Sequence, residues 1–320
     1  MENMEGLKGK RILVTGGTGF VGSHLVESLI AKGARVIVPY RSFDPRSYFA
    51  TKKLERQVIL VTCDLKDGGR VYDVVTKYEV EYIFHLGAQA IVATAYHNPV
   101  ETVASDVMGT AHILEAARRY PTIKGILIAS SDKAYGKSPN QYQETDPLQP
   151  DHPYEVSKAA TDLLAQAYFR TYNLPVVIAR FGNIYGEGDL NFNRIIPGIM
   201  KSLINEEPLE IRSDGTFVRD YCYVKDVVAG YLLMFEHLKQ VAGEAFNFSS
   251  DETLSVTGLI AKIEALLKKR LSYHIRNVQK NEIPHQTLRY DKAMKLLGYK
   301  PKYTLQATVR DIYRWYTSVL

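Results

Sequence analysis

Cysteine and tryptophan are almost missing from this chain, with two Cys and one Trp in 320 residues. Cys63 and Cys222 each stand in an apolar, strand-like setting, without CxxC spacing or a histidine at ligand spacing. That excludes a disulfide framework and gives no sign of a metal site. Long apolar runs are also missing: none approaches the roughly 18 residues a membrane span needs, and residues 1–11 hold no apolar segment of a secretory signal. The expectation is a soluble, cytoplasmic protein without a membrane partner. Nor does one sign of charge dominate, since 40 Lys and Arg against 35 Asp and Glu leave only +5. The densest basic cluster, Lys268, Lys269 and Arg270, closes an amphipathic helix, where cations suit the helix dipole. Nucleic acid is therefore not an expected partner, whereas an acidic small ligand is.

What the chain does have is an ordinary globular composition, 46% hydrophobic and 23% charged, and no internal repeat. Apolar strand candidates at 11–15, 35–40, 58–62, 82–86, 124–129 and 175–180 alternate with helical patterns at 20–32, 69–78, 101–119 and 153–172. This rhythm predicts an α/β fold with a Rossmann-type, doubly wound parallel sheet over residues 1–181. Residues 182–320 read as a smaller α/β substrate lobe, with chain from about 215 to 250 a candidate to return to the first. In that second part a Gly- and Asn-rich loop spans 182–193, helices are expected near 195–204, 225–238, 255–269, 291–297 and 305–320, and strands at 209–212 and 244–248.

Directly after the first strand stands GGTGFVG (16–22), followed at once by a helical pattern. Gly16, Gly19 and Gly22 suit a tight turn, a close backbone approach to a pyrophosphate and close packing of helix on strand, with the helix N-terminus facing the phosphate charge. The acid expected about 20 residues on, to hold a ribose 2′-hydroxyl, is missing, because the second strand ends in VPYRS (38–42). Arg41 is either a contact for the 2′-phosphate of NADP or a solvated loop cation. Asp64, after the third strand, either touches the adenine or caps the next helix. Farther on, Tyr154 and Lys158 lie four apart at the start of a helix, hence on one face, and the fifth strand runs out into Ser130, Ser131, Asp132 and Lys133. Strand C-termini are where such sheets bind ligands.

With these segments, and with FHLGAQAIV (84–92), RFGNIYG (180–186) and RDYCYVKDV (219–227), the chain resembles the extended short-chain dehydrogenase/reductases, specifically the nucleotide-sugar epimerases and dehydratases. The resemblance implies that Ser131, Tyr154 and Lys158 form an oxidising triad in which Tyr154 takes the sugar C4 hydroxyl proton, Ser131 holds that hydroxyl and Lys158 depresses the tyrosine pKa and binds the nicotinamide ribose. It implies NAD as cofactor, with NADP kept open by Arg41. It places Gly16, Thr18, Gly19, Phe20, Val21, Gly22, Arg41, Asp64, Leu65, Leu86, Gly87 and Ala88, with Tyr154 and Lys158, at the cofactor. Gln89, Ser130, Tyr135, Asn183, Asn193, Arg194 and Arg219 are implied at the nucleotide-sugar.

The two residues after the serine divide the branches of this family: small or neutral residues suit epimerases, and an acid followed by Glu or Lys suits 4,6-dehydratases. Here they are Asp132 and Lys133. Elimination of water from a 4-keto sugar needs a base at C5 and an acid at the C6 hydroxyl. Asp132 is assigned as the acid, and Lys133 as either the C5 base or an electrostatic stabiliser. QAIVATAY (89–96) and GEGDLNFNRIIP (186–197) resemble the CDP-glucose 4,6-dehydratase branch, although residues 281–285 (NEIPH) lack an arginine that relatives place on the diphosphate. A 4-epimerase using the same triad and a non-catalytic dinucleotide sensor are the alternatives. A homodimer through helices 101–119 and 153–172, with Leu163, Leu164, Ala167 and Tyr168 at its face, is expected from the resemblance.

Overall fold

The computed structural model describes residues 6–138, 140–278 and 283–320. Six short apolar runs form β1 (Arg11–Thr15), β2 (Arg35–Tyr40), β3 (Ile59–Thr62), β4 (Tyr82–His85), β5 (Gly125–Ala129) and β6 (Val176–Phe181). Beyond them come β7 (Asn183–Tyr185), β8 (Leu209–Ile211), β9 (Val218–Tyr223), β10 (Ala245–Phe248), β11 (Thr253–Ser255), β12 (Tyr273–Ile275) and β13 (His285–Gln286). One seven-stranded sheet runs β10-β6-β5-β4-β1-β2-β3, and every pairing in it is parallel. Strands covered by helices on both faces must be apolar on both, which is why all six residues of β6 are buried and its sequence does not alternate. On one face helices Phe20–Ala31 and Val224–Glu236 supply Leu25, Val26, Leu29, Val227 and Met234; on the other, Gly68–Lys77, Gly109–Arg119 and Pro153–Tyr172 supply Val74, Val75, Ile113, Leu114 and Ala165.

Between β1 and β4 the strand order reverses direction, and the crevice at their C-terminal ends is where a sheet of this kind receives ligands. Residues 224–248 belong to the large sheet's packing, since Val224–Glu236 covers it and β10 extends it beside β6. A third core gathers Ile196, Ile199, Leu259, Ile263, Val309 and Ile312 around a smaller sheet of order β11-β9-β13, to which β7 also pairs. The stretch read as a loop from 182 therefore begins with a strand, because Asn183 to Tyr185 run parallel to Tyr221 to Tyr223 of β9. At three residues β7 is too short for its alternation to show in sequence. No helix among the described residues is long and apolar enough to cross a membrane.

Candidate active site

The loop after β1 is built on close approach. Gly16 has φ +68°, and a Cβ on it would stand 2.8 Å from the Gly87 nitrogen and the Leu86 carbonyl; a Cβ on Gly22 would strike the Gly16 carbonyl oxygen. Thr15 Oγ1 accepts from the Gly87 amide at 2.9 Å and meets His85 Nδ1 at 2.7 Å, so the loops after β1 and β4 are tied together. The helix carrying Phe20, Val21 and Gly22 starts at Gly19 with no side-chain cap and no acid in its first turn. Thr18 lies in the turn before it. Uncapped amides at a helix start, behind a backbone cradle that side chains cannot enter, fit the pyrophosphate of a dinucleotide.

At the end of β2, Arg41 Nη1 lies 3.8 Å from Asp64 and 4.0 Å from Glu101, while Lys66 Nζ reaches Glu101 at 2.8 Å. Arg41 is thus already paired with carboxylates where a 2′-phosphate would need it. Asp64 accepts from the Lys66 amide and does not cap the following helix, a task taken by Asp67 through the Arg70 amide at 2.9 Å. Leu65 holds this edge in place, its carbonyl meeting His112 Nδ1 at 2.7 Å. Ala88 follows Gly87 in the loop after β4.

The helix Pro153–Tyr172 is fixed at its start by a reciprocal cap: His152 Nδ1 accepts from the Tyr154 amide at 3.2 Å and Glu155 accepts from the His152 amide at 3.4 Å. Tyr154 and Lys158 are both buried. Burial pushes the Tyr154 phenol up to about 12, against the pull of the Arg194 charge and a hydrogen bond with Ser131. Burial also lowers Lys158, with Asp106 acting in the opposite direction. Lys158 Nζ donates to the Ala129 carbonyl at 3.3 Å. Arg194 and Ser131 draw Tyr154 toward the phenolate. Ser131 Oγ donates to Asp132 at 2.9 Å and accepts from the Lys133 amide at 3.2 Å. Asp132 is 3% exposed, and burial raises its carboxyl above the usual range despite the neighbouring Lys133.

The expected substrate residues divide. Arg194 pairs with Asp189 at 3.1 Å and its charge reaches Tyr154; Arg219, buried on β9, donates to the carbonyls of Val218 and Pro284 and its charge reaches Asp132. Ser130 Oγ and Asn183 Nδ2 are buried polar atoms without a hydrogen-bond partner among the described residues. Gln89 turns its side chain onto Ile91, accepting from the amide and donating to the carbonyl, and Asn193 is exposed at the lip of the helix Ile195–Asn205. Tyr135 is held within the protein. It is 2% exposed, its hydroxyl donating to Asn247 and accepting from Arg180, each at 2.7 Å, and Arg180 grips buried Asp162 with two nitrogens. Tyr135 therefore sits inside a core network. Asn281 and Glu282, part of the stretch noted for its missing arginine, lie outside the described residues.

Two residues that sequence reasoning missed complete the site. Buried Asp106 lies in a π-helical stretch, Val103–Met108, and its carboxylate accepts from the Gln89 amide at 2.6 Å, Ser105 Oγ at 2.9 Å and Ser157 Oγ at 3.0 Å. Gln286 on β13 accepts from Lys133 Nζ at 2.9 Å, a contact between positions 153 apart that no local pattern announces.

Residues 13–312 match the family of GDP-mannose 4,6-dehydratase. The chain belongs to that family. Among its relatives is a CDP-glucose 4,6-dehydratase of Salmonella typhimurium, 28% identical over 97% of this chain and 91% of the relative. A dTDP-glucose 4,6-dehydratase of Streptomyces venezuelae, solved with NAD bound, superposes with a TM-score of 0.86 at 27% identity, covering 96% of this chain and 97% of the other. A UDP-glucose 4-epimerase of Thermotoga maritima, solved with UDP-glucose, gives 0.87 at 28% identity over 96% and 99%.

Proposed function

We propose that the chain is an NAD-dependent nucleotide-sugar 4,6-dehydratase, converting an NDP-hexose to the NDP-4-keto-6-deoxyhexose and water, with CDP-glucose as the first candidate substrate. The observation that carries this reading is the buried acid Asp132, hydrogen-bonded to Ser131 and followed by Lys133, beside the Tyr154 that begins the oxidation. Epimerisation at C4 needs no such second acid and base; elimination across C5 and C6 does.

When bound, the nicotinamide supplies the acceptor and later the donor of the hydrogen that moves from C4 to C6. Tyr154 takes the proton of the C4 hydroxyl while Ser131 holds that oxygen and Arg194 favours the phenolate. Asp132, raised by burial, is suited to be protonated when it meets the C6 hydroxyl and gives its proton to the leaving water. Lys133 faces the carbanion side, where its charge stabilises an enolate. The glycine cradle fits NAD, and the carboxylates around Arg41 favour NAD over NADP.

A CDP-glucose substrate is supported by the Asp132 and Lys133 pair and by the likeness to the Salmonella relative. The test is mass spectrometry of NAD-loaded protein incubated separately with CDP-glucose, dTDP-glucose, UDP-glucose and GDP-mannose. Loss of one water from CDP-glucose is expected; a new isomer of unchanged mass would replace this reading by the epimerase. The active unit is a homodimer joined along residues 101–119 and 153–172, where Val103, Met108, Val156 and Leu163 are exposed, as are Tyr96 and Val100 just before the first of them. Leu164 and Tyr168 pack inward instead. Light scattering that returns a monomer mass would remove the dimer.

A further inference from the structure

Gln286 meets Lys133 in an unusual way. Its side chain is 1% exposed on β13, which runs parallel to β9 with Gln286 in register with Arg219. One end of the amide, Oε1, accepts from Lys133 Nζ at 2.9 Å. The other end, Nε2, is buried and has no hydrogen-bond partner among the described residues. At the start of β7, which pairs with the later part of β9, Asn183 Nδ2 is in the same condition. Buried amide donors are nearly always satisfied in folded proteins, because desolvation without an acceptor is a loss that nothing returns. Two such donors on strands that pair with the one carrying Arg219 suggest an oxygen-rich ligand group that completes them.

The pairing with Lys133 has its own logic. A carboxylate opposite the ammonium would orient it and cancel its charge; an amide carbonyl orients it and leaves the charge in place. For a lysine whose task is to stabilise negative charge on the substrate, the amide is the better partner. We propose that Gln286 is a positioning residue for Lys133 and a contact to the sugar-diphosphate part of the substrate, Oε1 aiming the ammonium and Nε2 donating to a substrate oxygen. This rests on the nucleotide-sugar reading above.

The test uses the full-length, NAD-loaded protein and the variants Gln286→Met, of similar length without either polar atom, and Gln286→Glu, which keeps an acceptor and loses the donor. Calorimetric titration with CDP-glucose and with dTDP-glucose reads the donor: both variants bind whichever sugar nucleotide the wild type binds about 5- to 10-fold more weakly, the worth of one hydrogen bond. Turnover reads Lys133: kcat falls in Gln286→Met and further in Gln286→Glu, whose carboxylate neutralises the lysine, and steady-state absorbance at 340 nm rises in both because elimination slows and C4 oxidation does not. Variants that bind and turn over as the wild type does, or that lose affinity only in step with a lowered melting temperature, overturn the inference. A wild type that binds neither sugar nucleotide overturns the nucleotide-sugar reading itself, and the inference with it; a wild type that binds but releases no water defeats the dehydratase reading while the affinity arm still decides the contact.

Discussion

Ser157 donates its hydroxyl to Asp106 at 3.0 Å, which ties the π-helical stretch Val103–Met108 to the helix that carries Tyr154 and Lys158. Through its other oxygen the same carboxylate holds the Gln89 amide at 2.6 Å, so three segments around the site share one buried acid. Removing it as Asp106→Ala takes the acceptor from the Gln89 amide, while Ser157 Oγ keeps the Tyr154 carbonyl at 2.8 Å, and chemical denaturation is expected to show a loss of about 1–3 kcal/mol. Asp106→Asn can keep most of the hydrogen bonds and should recover most of that stability.

Asp106→Asn also removes a charge that raises both Tyr154 and Lys158. Both groups then titrate lower, so the bell of kcat/KM against pH moves as a whole toward lower pH. A bell that stays in place, or moves upward, would show that Asp106 only holds the segments together.

Asp132→Asn separates function from stability. The native carboxyl is raised by burial, so its ionised form costs stability above its folded pKa, and below the ordinary unfolded-state value of about 4 the carboxyl is protonated in both states and the cost is gone. The variant should melt higher than the wild type at pH 7, equal it near pH 3, and release water from the substrate more slowly. A variant that melts lower at pH 7 would contradict the electrostatic account of this site.

Tyr135→Phe tests whether that residue serves the fold or the substrate. The change leaves Arg180 Nη1 and Asn247 Oδ1 short of a buried partner, which is expected to cost about 1–3 kcal/mol in denaturation. If the hydroxyl serves that network alone, KM should stay within about twofold, well inside the effect of one lost hydrogen bond. A tenfold rise in KM at unchanged stability would return Tyr135 to the substrate.

The contrast between Tyr135 and Tyr154 shows what sequence could reach. The glycine loop, the positions of the first six strands and the Tyr154 and Lys158 spacing all follow from local rules of turn chemistry and period, and each was readable. Tyr135 stands in a motif beside Ser131 and looks equally functional, yet its role is set by Arg180 and Asn247, 45 and 112 positions away. Asp106 and Gln286 escaped for the same reason, since each is defined by partners that only the folded chain brings near. The three-residue β7 escaped because so short a run carries no period.

Binding of the two dinucleotides tests the Arg41 cluster. With Asp64 and Glu101 within 4.0 Å of Arg41, a 2′-phosphate meets carboxylates as well as the cation, and NAD should bind more tightly than NADP in a fluorescence titration. Glu101→Gln should narrow the difference. Tighter binding of NADP by the wild type would mean that Arg41 leaves its carboxylates for the phosphate.

The most direct test of the central claim is the fate of deuterium placed at C4 of CDP-glucose. Oxidation by the Tyr154 machinery, elimination assisted by Asp132 and return of the same hydrogen predict a product lighter by one water with the label at C6. Label found again at C4, in an isomer of unchanged mass, would contradict the dehydratase and leave a 4-epimerase.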